Sequence, residues 1–195
     1  MNEIIINRVD FFGRKQEVDF KKITNNDKID SLIMKNFIIQ DEIMNKINSC
    51  INLKQIWYIE CIFNTNILLK NIEVLKIEDC RIEKAYIFNQ SIKRLYLINS
   101  GKIDINNIVD LDLITLKIVN ESVENLNKID KFTNLEYLYL QEIELNDKIN
   151  YNQLTKLRVL NFDGSKVYDK RLFLKQFENR KINISFLDKN LKIGF

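Results

Sequence analysis

IEVLKIEDCRI, residues 72–82, has apolar side chains at its first, fourth, sixth and eleventh places and a cysteine at its ninth. That spacing fits neither the 3.6-residue period of a helix nor the strict alternation of a half-buried strand. The same offsets recur along most of the chain. LKQIWYIECIF (53–63), LITLKIVNESV (113–123), LEYLYLQEIEL (135–145) and LRVLNFDGSKV (157–167) keep the four apolar places, with Cys61, Glu121, Ile143 and Ser165 at the ninth. Weaker copies start at Ile29 and Ile92, and a degenerate last copy starting at Lys181 retains Ile184, Phe186 and Leu191. The starts, at residues 29, 53, 72, 92, 113, 135, 157 and 181, lie 19 to 24 residues apart. A fixed period of this kind is the signature of a stacked-repeat architecture and takes precedence over local secondary-structure reading.

Over residues 29–191 the pattern resembles the leucine-rich repeat family. Between Leu113 and Leu135 the likeness goes further. Val123, Leu126, Ile129 and Phe132 continue an apolar series every third residue, as in the 22-residue subclass with a short helical return. The resemblance implies a right-handed α/β solenoid with a parallel sheet on the concave face and short helices or turns on the convex face. One copy cannot bury its apolar face alone, so copies stack and share a continuous core. The fourth and sixth residues of each copy are expected to point inward. The ninth, in the family an inward Asn or Cys that bonds neighbouring loop backbone, holds Phe37, Cys61, Cys80, Ser100, Glu121, Ile143 and Ser165. Asparagine is missing there, and Asn99 and Asn120 fall one place early, which predicts irregular turns.

The ends read as caps. Residues 1–28 form an N-terminal cap, expected as a β-hairpin around Gly13-Arg14. The repeats proper run over 29–180, and 181–195 are the degenerate last repeat and C-terminal cap. DEIMNKINSC (41–50) gathers Ile43, Met44 and Ile47 on one helical face and reads as the first return segment. DKRLFLKQFEN (169–179), with Asp169 as N-cap and Phe173 spaced to meet Phe177, reads as the last return helix.

The register defines the candidate site. The third, fifth and seventh residues of each copy project from the concave face, the family's usual ligand surface. The fifth-place column reads Ile33, Trp57, Lys76, Tyr96, Lys117, Tyr139, Asn161, Ser185, so aromatics and lysines alternate through its centre. The seventh-place column supplies Ile59, Glu78, Ile98 and Val119, and the third-place column Arg94 and Tyr137. Trp, Tyr and Arg dominate interface energetics, which makes Trp57, Tyr96, Tyr137 and Tyr139 the expected anchors. Lys76, Arg94 and Lys117 are their charged companions, and exposed Ile59, Ile98 and Val119 the dry floor. The bland alternative is that lysine stems simply pack on the aromatic faces.

Composition narrows the partner. The 30 basic and 27 acidic residues leave a net charge of +3, too balanced for an obligate nucleic-acid or membrane binder. The eighth-place column, with Glu60, Asp79, Glu142 and Asp188 and no basic residue, sets an acidic edge against any polyanion. The N-terminus lacks a basic leader before a long apolar run, and three cysteines are few, which together predict a cytoplasmic chain.

Catalysis has little to build on. The chain has no histidine, which removes imidazole-based triads and metal sites, and its four isolated glycines make no phosphate loop. Cys61 and Cys80 share a repeat position on adjacent rungs and read as buried space-fillers rather than a disulfide. The expectation is a cofactor-free, non-enzymatic bacterial repeat protein that binds another protein through its concave face. An immunity-type antagonist of a toxin or enzyme fits, as does an adaptor or a self-associating module.

Overall fold

A computed structural model describes residues 3–7, 29–82, 87–88, 91–108, 110–145, 149–166 and 170–186. Its centre is one nine-stranded parallel sheet. The strands are β1 (Glu3–Asn7), β2 (Ser31–Lys35), β3 (Gln55–Ile59), β4 (Val74–Glu78), β5 (Arg94–Ile98), β6 (Thr115–Val119), β7 (Tyr137–Gln141), β8 (Val159–Asn161) and β9 (Asn183–Ser185). They pair in sequence order, each with the next and without offset. Connections between parallel neighbours in one sheet are right-handed, so serial pairing winds the chain into a solenoid.

The repeat offsets follow from the pleat. Strand residues alternate between faces, and in β4 the fourth- and sixth-place Leu75 and Ile77 are 0% exposed while Val74, Lys76 and Glu78 are half-buried. The same split holds in β3 and β7, and in β5 and β6 apart from the third place, where Arg94 is exposed and Thr115 buried. The inward side chains of all copies join one continuous apolar cluster from Ile29 to Phe177. Each fully buried Leu or Ile contributes roughly 1.5–3 kcal/mol relative to exposure.

The turns are regular, which corrects the expectation of irregular ones. Asn36, Glu60, Asp79, Asn99, Asn120 and Glu142 fill the eighth place, all with φ between 50° and 62°, and Gly164 does so at 74°. Such a left-handed residue is cheap only for Gly, Asn or Asp. Asn99 and Asn120 are therefore in place rather than early: they serve the turn, not the core. The eighth-place N–H groups from Asn36 to Glu142 donate to the seventh-place carbonyl of the following rung, for example Asp79 to Ile98 at 2.9 Å and Asn120 to Gln141 at 2.9 Å.

The ninth place turns inward and is buried from Phe37 to Ile143. Without asparagine, Cys, Ser and Glu supply its hydrogen bonds. Cys61 N–H donates to Cys80 Sγ at 3.3 Å, Ser100 N–H to Glu121 Oε1, and Ile143 N–H to Ser165 Oγ at 3.0 Å. The hydroxyls of Ser100 and Ser165 reach back to the sixth-place carbonyls of the preceding rung, Ile77 at 3.4 Å and Leu140 at 2.7 Å. Cys50, Cys61 and Cys80 are free thiols.

Beyond the turns, short parallel strands stack as secondary ribbons, such as Ile38–Ile39, Ile62–Phe63 and Arg81–Ile82. The first return is the helix α1 (Asp41–Asn48), with Met44 and Ile47 buried. Later returns are 3₁₀ turns at Ile105–Asn107, Leu126–Lys131 and Tyr151–Gln153. The helix α2 (Lys170–Lys175) is shorter than the expected 169–179. Its Phe173 packs on Phe177 of the following turn at 5.2 Å between ring centroids, and Tyr151, Phe162 and Phe186 complete an aromatic plug over the last rungs. The Arg180 guanidinium donates to the carbonyls of Tyr151, at 2.7 Å, and Leu154, tying the plug to the last 3₁₀ turn.

The predicted hairpin around Gly13-Arg14, the Asp169 cap, Asp188 and Leu191 lie outside the described residues. Glu3–Asn7 from the N-terminal segment joins the sheet as β1, parallel to β2.

Candidate functional site on the open sheet face

The in-phase register brings the predicted side chains together. Ile33, Trp57, Lys76, Tyr96, Lys117, Tyr139 and Asn161 pair in turn across β2 to β8 and form one lane. Ile59, Glu78, Ile98 and Val119 make a second lane beside it. Arg94 and Tyr137 lie in the third, with Thr115 between them. At a rung spacing of about 4.8 Å, Trp57 and Tyr139 stand roughly 20 Å apart.

β1 adds what the sequence reading missed. Ile5 pairs with Ile33 and is 59% exposed, so an apolar residue opens the lane one rung earlier than expected. Alternation within EIIIN was the available signal, but its start falls outside the repeat spacing. Ile59, Ile98 and Val119 are half-buried rather than exposed.

Trp57 is held rather than bare. Lys76 Nζ sits 3.6 Å from the centre of its ring, and its indole N–H donates to Glu78 Oε2 at 3.0 Å. Lys76 Nζ also meets Glu78 Oε2 at 2.9 Å. The packing alternative is thus real for this trio: lysine, tryptophan and glutamate satisfy one another and fix the indole orientation. Lys117 covers Tyr139 more loosely, at 5.9 Å.

Besides Lys35 at the β2 end of the second lane, two cations in the middle of the face are not neutralised in this way. Arg94 is exposed and Lys117 half-buried, and among the described residues neither has an ion-pair partner. Tyr96 lies between them, beside Lys117 in the register and two residues from Arg94 on the same face. Burial pushes its hydroxyl above the usual tyrosine range; the Arg94 charge opposes the shift and Tyr139 adds to it.

The C-terminal end of the face differs again. Gln141 donates to Asn161 at 2.9 Å, Asn161 to Asp163 at 2.7 Å, and Ser185 to Asp163 at 2.8 Å. These polar groups satisfy each other. The opposite end hollows into a depression of about 340 Å³, lined by Ile33, Trp57, Val74, Lys76, Tyr96 and Lys117 among others. Its apolar lining with a few convergent polar groups is the usual character of a binding site.

No protein-family model and no curated protein matches the sequence. A solved structure matches its shape: internalin C2 from Listeria monocytogenes, at 20% sequence identity and a TM-score of 0.64, over 88% of this chain and 84% of that one. The chain folds as a leucine-rich repeat solenoid. Likeness at that identity is one of fold, and function has to be argued from the solenoid's own residues. Among those described, no group of three or more His, Cys, Asp or Glu side chains is placed to hold a metal ion, and no helix is long and apolar enough to cross a membrane.

Proposed function

We propose that this solenoid recognises another protein, without catalysis, through the open face of its nine-stranded sheet. The observation that carries the reading is the unbroken lane from Trp57 to Tyr139. It places three large aromatics and two lysines in line, with Arg94 and Tyr137 in the adjoining lane, beside a depression of about 340 Å³. Leucine-rich repeat solenoids commonly serve protein recognition, and their curved sheets supply extended binding surfaces. Trp57, Tyr96, Tyr137 and Tyr139 are the anchors; Lys76, Glu78, Arg94 and Lys117 set orientation and charge; Ile59, Ile98 and Val119 fill the floor.

The biological form we favour is an antagonist that masks a toxin or enzyme in the cytoplasm. One continuous face suits occlusion of a single partner surface, whereas an adaptor needs two. The three free thiols agree with a reducing compartment.

The test is affinity capture from the source cell with the wild-type chain and with Trp57→Ala and Tyr96→Ala. Each variant is expected to lose about 2 kcal/mol or more of binding to the captured species, with the melting temperature nearly unchanged. Wild-type binding by both variants would remove the sheet face as the site.

A further inference from the structure

The lane is not electrostatically uniform, and its asymmetry names the chemistry of its occupant. Three kinds of polar group face the open sheet. Lys76 is neutralised by Glu78 and held over Trp57. Gln141, Asn161, Asp163 and Ser185 bond to one another. Arg94 and Lys117, in the middle, have no carboxylate among the described residues, and neither does Lys35, which stands apart on β2, three strands from Arg94. They stand on adjacent strands, with Tyr96 beside Lys117 and Thr115 beside Arg94 in the register. Tyr137 and Tyr139 follow on the next strand.

We propose that the occupant is an extended segment of a partner protein that presents a carboxylate side chain to Arg94 and Lys117 and a large apolar side chain to the depression before them. The inference rests on the proposed recognition through this face. Arg94 offers a planar fork suited to a carboxylate, and Lys117 a second positive charge. Half-buried tyrosines around them lower the local dielectric, so a charge-assisted bond there is stronger than one in open water. Ile33, Trp57 and Val74 line the adjoining depression and give an apolar side chain a place to lose its water. Residues two apart on an extended segment lie about 7 Å apart on one face. That span covers the step from Val74 to its next-rung neighbour Arg94.

The geometry also limits how much negative charge is welcome. Glu60, Asp79 and Glu142 line the turn edge of the same sheet. A single carboxylate on an otherwise apolar segment meets the two cations without approaching that edge, whereas a nucleic-acid backbone or a run of phosphates crosses it.

The experiment is selection of short random peptides displayed on phage against the full chain, with the Arg94→Glu/Lys117→Glu double variant as counter-target. Enriched peptides are then synthesised and titrated. The expected peptides carry Asp or Glu two places from a large apolar residue. Their affinity falls at least about tenfold in the double variant and weakens with added salt. A Lys131→Glu control on the convex side leaves binding unchanged. Should the double charge reversal fail to fold by circular dichroism, Arg94→Gln/Lys117→Gln serves instead. Peptides without acidic residues that still lose binding in Trp57→Ala would overturn the proposed chemistry and leave the face as the site. Peptides that bind equally to the double variant and to Trp57→Ala would overturn both.

Discussion

Glu121 stands where its neighbours have uncharged side chains. It occupies the ninth place, is 7% exposed, and accepts the Ser100 N–H with Oε1, while Oε2 is buried with no hydrogen-bond partner among the described residues. Burial, with a smaller push from the Asp79 charge, raises its carboxyl from the usual 4.5 to about 7 against the opposing bonds from Ser100 and Gly101. The folded-state value exceeds the unfolded one, so folding takes up a proton. The stability this gives is full below pH 4.5 and is lost as pH rises to about 7. Wild-type urea midpoints should therefore fall across that window by an amount on the order of 1–3 kcal/mol. Glu121→Gln, which keeps the acceptor for Ser100, should flatten the profile and be the more stable protein above it. A wild-type profile as flat as the variant's would show the carboxylate to be solvated. The sequence pattern located this residue at an inward position, but nothing in it revealed the missing partner, which depends on three-dimensional surroundings. The asparagines were misread for a related reason: their spacing was clear, but the left-handed turn they serve is a backbone property that periodicity does not report.

The returns show how far periodicity reaches. An apolar residue every third place from Val123 to Phe132 matches the 3.0 residues per turn of a 3₁₀ helix, and Leu126–Lys131 adopts that form with Leu126 and Ile129 buried. Ile43, Met44 and Ile47 are spaced for an α-helix instead, and α1 results. The secondary ribbons were not legible, since strands of two or three residues have no period to read. Because Ile129 is 0% exposed, Ile129→Ala should cost about 2–4 kcal/mol in urea unfolding. Asn127→Ala, exposed on the same turn, should stay within about 0.5 kcal/mol. Equal effects would mean that the turn does not deliver Ile129 to the core.

Across the molecule, the repeat spacing was enough to place the side chains of eight of the nine strands; β1 lies before the first copy. Once the copies stack without offset, the lane from Trp57 to Tyr139 follows with no further information. The internal use of its charges did not follow: the Lys76–Trp57–Glu78 trio and the self-bonded end around Asp163 depend on side-chain conformation. Those pairings leave two uncompensated cations side by side at the centre of the face, Arg94 and Lys117 around Tyr96, with Lys35 apart on β2. The most direct measurement is hydroxyl-radical footprinting of the chain alone and with its captured partner. Trp57, Tyr96, Tyr137 and Tyr139 should lose reactivity together, while Ile51, Leu68 and Leu174, exposed off the main sheet, keep theirs. Protection of Ile51, Leu68 and Leu174, with the four aromatics unchanged, would place recognition elsewhere on the solenoid.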